Sequence, residues 1–299
     1  MSRYTTSVAW VLLALVAAAA GADDPVVVEA ELTTQPAGTT PPVVTAAQAE
    51  SRRRDANTPT RPTTAPTVEP EVRAVLDTFE AAGNKLETVQ TDVDFEVIDL
   101  IAGDTEKRTG VLHYSRETDK RPPRFHVLFE TVKLGDARPV KRQLEYGFDG
   151  YWLTIKKTRL KQMTRYQVAT EGQRIDPFRL GRGPFPVPFR QKTETIVEYF
   201  NVRKMPDRKS DPKNTIRLRL SPREHHAKDI RFSRMDIWID SESYLPVKVR
   251  ARDEKSLTTV VFEDLKTDVK IPDKVFEVPD PPLGWHVEIK PLEKRDEKE

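Results

Sequence analysis

Apolar residues recur at two different spacings along this chain, and the change of spacing divides it. Val72, Val75, Leu76, Phe79 and Leu86 fall at helical intervals, which predicts an amphipathic helix over about residues 70–86. Gly83-Asn84 supplies the residues that end such a helix or kink its last turn. Beyond it the period drops to two, the mark of strands with one dry face. Val93, Phe95 and Val97 alternate with Asp92, Asp94 and Glu96. The alternation returns in Leu112 and Tyr114, in Phe125, Val127 and Phe129, and in Tyr151, Leu153 and Ile155. It is cleanest in Ile216, Leu218 and Leu220, in Met235, Ile237 and Ile239, and in Val247 and Val249, with a further strand near Leu257 to Phe262.

Asp149-Gly150 between two such runs is a hairpin signal, and Asp240 to Ser243 and Arg252 to Lys255 read as similar polar turns. Strands following strands without helices between them argue against a parallel α/β sheet. The expected fold class is therefore α+β, mainly antiparallel β, each strand burying one face. The interruption is central: Asp176 to Arg190 is rich in Pro and Gly, and Glu194 to Met205 carries a short helix signal in Ile196, Val197 and Phe200. No internal repeat is present. A large sheet with one apolar face and so few helices must curl on itself or hold something.

The N-terminus changes where this fold is expected to work. Arg3, an apolar run from Val8 to Ala20 and the small residues Ala20-Gly21-Ala22 follow the order of a cleavable secretory signal, so residues 1–22 are read as an export signal. The run is shorter than the ~20 residues that span a bilayer as a helix, although an uncleaved anchor is the alternative. Residues 23–69 are dominated by Thr, Pro, Ala and Val and read as a disordered tether, residues 70–290 as the folded domain, and 291–299 as a charged tail. The chain has no cysteine, so the domain relies on its core rather than on disulfides. Its 49 Lys and Arg nearly balance 47 Asp and Glu, which gives no argument for nucleic acid. A soluble, periplasmic monomer is expected.

Candidate chemistry is sparse. Without Cys, thiol catalysis and thiolate metal sites are excluded. His225-His226 lies in a charged loop without metal-ligand spacing, and His113 and His126 fall on the polar faces of strands, where cross-strand pairing is expected. No Gly-x-Ser-x-Gly elbow occurs, and Gly181-Arg182-Gly183-Pro184 lacks the helix a phosphate cradle needs. Paired carboxylates are uninformative among so many acids. The residues predict no enzyme, no metal and no cofactor. Arg217, Arg219, Lys248 and Arg250 make a basic strand face, read as solvated and balanced by Asp236 and Asp240 on adjoining strands.

One ordered set of segments resembles a known family. It comprises the opening helix, Gly110-Val111-Leu112-His113-Tyr114, Arg121-Pro122 and Phe148-Asp149-Gly150-Tyr151-Trp152-Leu153. Asp176-Pro177-Phe178, Leu218-Arg219-Leu220-Ser221-Pro222, Ile237-Trp238-Ile239-Asp240 and Leu245-Pro246-Val247 follow, and Val261 to Leu265, Ile271-Pro272, Phe276 to Pro279 and Gly284 to Val287 complete it. From about Pro70 to Val287 the chain resembles the LolA-like family of exported lipoprotein carriers, in its divergent planctomycete-type branch. The resemblance implies an incomplete (half) β-barrel with helices packed as a lid over an apolar concave face that takes up acyl chains. It implies that Arg121, with Arg116 close behind, holds the lid by polar contacts. The concave face is then expected to be built from Phe95, Val97, Leu112, Tyr114, Val127, Phe129, Leu153 and Ile155. The implied partners are a lipid or acylated lipoprotein and membrane-bound donor and acceptor proteins. Two other readings stay open: an envelope sensor of similar fold that binds a membrane-protein partner, and a structural protein whose interior is filled by its own side chains.

Overall fold

Alternation along the strands builds one sheet. The structure, a computed structural model, describes residues 68–119, 121–170, 180 and 189–292, which belong to one compact unit. The expected export signal, the tether, most of the Pro- and Gly-rich interruption and most of the charged tail lie outside the described residues. Among the described residues there are two α-helices, α1 (Pro70–Lys85) and α2 (Thr193–Tyr199). Twelve strands follow in chain order: β1 (Thr88–Asp99), β2 (Thr105–Ser115), β3 (Arg124–Leu134), β4 (Val140–Phe148), β5 (Trp152–Lys157), β6 (Gln162–Gln167), β7 (Phe200–Met205), β8 (Thr215–Pro222), β9 (Arg234–Asp240), β10 (Pro246–Arg252), β11 (Ser256–Thr267) and β12 (His286–Lys290).

All twelve form a single open sheet in the order β12-β6-β5-β4-β3-β2-β1-β11-β10-β9-β8-β7. Two meanders, β1 to β6 and β7 to β11, are joined where β1 pairs with β11, and every one of these pairs is antiparallel. The exception is β12, which lies parallel to β6. This is the open antiparallel architecture, with helices on the apolar face, that the family resemblance implies. The sheet does not close, so β12 and β7 remain edges.

The register puts large apolar side chains on one face. Val93, Phe95 and Val97 of β1 lie opposite Phe262, Val260 and Thr258 of β11, and Leu112 and Tyr114 of β2 lie opposite Val127 and Phe125 of β3. All of these but Thr258 share one buried cluster with Val72, Val75, Leu76 and Phe79 of α1 and Ile196 and Val197 of α2. The two helices therefore cover the inner face. At full burial each such side chain contributes about 1.5–3 kcal/mol of hydrophobic stabilisation.

Three local features differ from the sequence expectation. The second helix stops at Tyr199, because Phe200 and Val202 are buried and alternate with exposed Asn201 and Arg203 in a strand paired with β8. Gly83 lies inside α1, two residues before its end, and its bare α-carbon lets another backbone approach: a Cβ there would lie 2.9 Å from the Arg190 nitrogen. The outer face is not uniformly wet either. After β11 the chain folds back as an arm, and its single 3-10 turn, Asp273–Phe276, packs on β3 with Phe276 buried. Asp149-Gly150 does turn β4 into β5, with the Asp149 carboxylate accepting from the Tyr151 and Trp152 amides and Gly150 at φ 106°. Among the described residues no helix is long and apolar enough to cross a membrane.

Candidate functional site

The site grows from the inner face of β1, β2, β3 and β5. Phe95, Val97, Leu112, Tyr114, Val127, Phe129, Leu153 and Ile155 all point to that face, in adjoining rows set by the register. All eight are buried. Rings link the rows: Phe95 and Phe129 lie 5.6 Å apart, Phe129 meets Tyr146 edge-on at 6.3 Å, and Phe125 stacks on Phe148 at 5.7 Å.

What covers the centre is a short strap, residues 189–192, leading into α2. Phe189 lies between Tyr114 of β2, at 6.4 Å, and Phe262 of β11, at 5.5 Å, and is 2% exposed. Each such ring pair contributes about 0.5–1.5 kcal/mol beyond area burial. The next residue, Arg190, takes a left-handed backbone (φ 57°) and donates from Nη1 to Glu117 Oε2 at 2.5 Å. The same nitrogen lies 3.5 Å from the Tyr114 hydroxyl. The hydrogen bond from Arg190 holds the Glu117 carboxyl below the usual glutamate range, against the opposing pull of burial.

Further polar ties fasten the helices at the rim. Thr193 N donates to Glu80 Oε2 at 2.7 Å, Lys204 Nζ to Glu71 Oε1 at 2.5 Å, and Arg73 pairs with Glu194. Arg116 reaches the Asn84 carbonyl, near the end of α1, at 3.5 Å. Arg121 is placed elsewhere. Its Nη1 donates to Asp273 Oδ1 at 2.8 Å, the oxygen that also accepts from Arg124 at 2.7 Å, so among the described residues it ties the segment before β3 to the C-terminal arm.

Sequence reasoning missed two groups. Phe189, Arg190 and Glu117 form the strap's anchor, yet Phe189 carries no periodic signal, since it follows a Pro-rich stretch. Glu106 and Arg108 were overlooked because they read as polar, whereas the register turns both to the inner face opposite Val97 and Phe95. They pair at 2.5 Å, with side chains 8% and 6% exposed. Burial pushes the Glu106 carboxyl up while Arg108 draws it back, and Arg108 Nη1 is buried with no hydrogen-bond partner among the described residues.

The other candidates resolve simply. His126 Nε2 lies 2.8 Å from Glu145, and the His113 ring lies 6.4 Å from that of His126, on the outer face. The His226 ring stacks on Tyr199 at 4.1 Å, and among the described residues no group of three or more His, Cys, Asp or Glu could hold a metal ion. On the basic face Arg219 pairs with Asp236 through two hydrogen bonds of 2.6 and 2.9 Å, and Arg217 pairs with Asp211. Asp240, expected to balance that face, instead accepts from the Glu242 and Ser243 amides of its own turn. A cavity of about 350 Å³ lies against the outer face, between β4, β5, β6 and the arm, lined by Trp152, Arg165, Phe276, Val278 and Ile289 among others.

No family profile and no curated protein matches the chain. Solved structures do. An uncharacterised conserved protein of Thermus thermophilus is 13% identical, over 74% of this chain and 99% of that one, with a TM-score of 0.43. The lipoprotein LppX of Mycobacterium tuberculosis is 11% identical, over 69% and 100%, with a TM-score of 0.42. A putative outer membrane lipoprotein-sorting protein domain of Vibrio parahaemolyticus is 13% identical, over 68% and 95%, with a TM-score of 0.35.

Proposed function

We propose that the inner face binds the acyl chains of a lipid or acylated lipoprotein, and that the protein works as an exported, non-enzymatic carrier in the cell envelope. The observation that supports this reading is Phe189. An apolar ring occupies the middle of a wide apolar face, but it arrives on a strap that is fastened by polar contacts at the rim.

Such contacts exchange with water, at about 1.5–3 kcal/mol net for each hydrogen bond to a charged group. Burying an acyl chain contributes about 0.8 kcal/mol per methylene, so ten methylenes supply about 8 kcal/mol. That is comparable with the loss of the strap's contacts to Glu117 and Glu80, the two ring pairs and the burial of Phe189, and a longer acyl chain exceeds it. Binding and release therefore need only a withdrawn strap, with no bond made or broken. Since the chain has no cysteine, the lipid it meets is not attached to it through a thioether.

The test is displacement of an apolar fluorescent dye by a long-chain fatty acid. The wild-type chain is expected to bind the dye and release it to the fatty acid, and Phe189→Ala, which vacates the centre, to bind it more tightly. A chain that binds no dye in either form refutes the reading.

A further inference from the structure

Among the described residues eight large apolar side chains are exposed, and six of them gather at one end of the sheet. Leu100 and Ile101 lie in the β1–β2 turn, Leu134 and Val140 flank the β3–β4 turn, Leu160 lies in the β5–β6 turn, and Leu283 precedes β12. A meander returns every second turn to the same end, and backbone hydrogen bonds link these neighbours. Gly135 N donates to Thr105 O at 2.7 Å, Thr158 N to Gln143 O at 3.3 Å, and His286 N to Lys161 O at 2.8 Å. With strands about 4.8 Å apart, the turns from β1 to β6 make an arc about 24 Å long. Ile101 is 77% exposed and Leu283 fully so, although single exposed apolar residues would ordinarily be scattered.

Charge on the β3–β6 part of the arc is almost all of one sign. Residues 133–142 and 157–161 hold seven Lys and Arg and a single acid, Asp136. Arg138, Lys141, Arg159 and Lys161 are exposed there. Two of the acids at this end of the sheet are engaged by their own turns: Asp99 accepts from the Ile101 and Ala102 amides, and Asp253 from those of Lys255 and Ser256. Asp104 and Glu254 stay exposed, on the β1 side of the arc and away from the cations.

We infer that this end of the sheet docks on an anionic lipid bilayer, the apolar turn residues entering the interface while Arg138, Lys141, Arg159 and Lys161 meet the headgroups. Neither component suffices alone. Short apolar tips bury too little area, and surface cations are screened by salt within about a Debye length, but together they give the two signals that hold a protein on a membrane. The inference is independent of what the inner face binds.

The absence of cysteine allows a direct test in the full chain. Thr158→Cys at the β5–β6 turn, and Ser210→Cys at the opposite end of the sheet, are each labelled with a polarity-sensitive dye. They are mixed with vesicles of phosphatidylglycerol and phosphatidylethanolamine, or of phosphatidylcholine. The label at 158 is expected to shift to the blue on the anionic vesicles alone, and the label at 210 to stay unchanged. Because the rest of the chain is common to both, attachment through any other segment affects them alike. Adding Arg159→Glu with Lys161→Glu is expected to weaken partition about tenfold or more, and Ile101→Ser with Leu160→Ser to remove the binding that survives high salt. The inference is overturned if position 158 stays unshifted, shifts equally on phosphatidylcholine, or is indifferent to the charge reversal.

Discussion

Arg190 meets Glu117 at 2.5 Å from a left-handed backbone, one residue after the ring that fills the middle of the inner face. The same backbone lies against Gly83 of α1. Helix, strap and sheet thus converge on one residue. A change at any of the three partners should be felt as a change in how the inner face is covered.

Glu117→Gln is expected to loosen the strap and speed apolar dye exchange several-fold at neutral pH, read by stopped-flow fluorescence. The wild-type contact has a pH signature. A carboxyl held below its ordinary value of 4.5 contributes stability that is present above that value and lost as pH falls through its lowered folded value. Dye exchange in the wild type should therefore accelerate below about pH 4.5, and Glu117→Gln should lack that acid acceleration.

Gly83→Ala sets two effects of opposite sign against each other. Helix propensity alone favours Ala by about 1 kcal/mol. The added Cβ would meet the Arg190 nitrogen at 2.9 Å and its Cα at 3.0 Å, both backbone atoms that cannot swing aside. A net loss of about 1–2 kcal/mol is expected from the urea midpoint; a gain would mean that the strap does not press on α1.

The pair inside the sheet makes a different prediction. Glu106→Gln leaves Arg108 charged and unpaired on a buried face, and should cost about 3–5 kcal/mol in urea unfolding. Glu106→Leu with Arg108→Met removes both charges and should cost much less, or nothing. Equal losses in the two variants would show that Glu106 and Arg108 are solvated rather than coupled.

Most of the sheet was legible because its inner face uses large side chains at every second position, as Phe125, Val127 and Phe129 do. Periodicity reports only which face is apolar, however. It could not reveal that Glu106 and Arg108 share the face of Phe95, since a polar residue at an inward position looks like a break in the strand. Nor could it show that the arm around Phe276 covers part of the outer face, or that β12 pairs parallel with β6, because both depend on contacts between distant segments. Of the candidate site, the floor and the two covering helices were readable, and the strap leading into α2 was not. Phe189 and Arg190 act through one close approach and one hydrogen bond, which leave no repeat in the sequence.

His113 gives a prediction on the outer face. Burial, and then the neighbouring His126, push its pKa below the ordinary 6.5, so the folded protein binds fewer protons there than the unfolded chain. Stability should fall as pH drops below about 6.5 toward the lowered folded value. His113→Gln should flatten that part of the curve, measured as thermal midpoint against pH. An unchanged slope would assign the dependence to other groups.

Acyl-chain carriage by the inner face is the proposal on which the role of the strap depends. Native mass spectrometry of the protein purified from its own host without detergent tests it most directly. The expected spectrum contains a population heavier by one or more acyl lipids, which is lost on organic extraction and increased by Phe189→Ala. A spectrum with only the bare chain, from both wild type and variant, would contradict the claim.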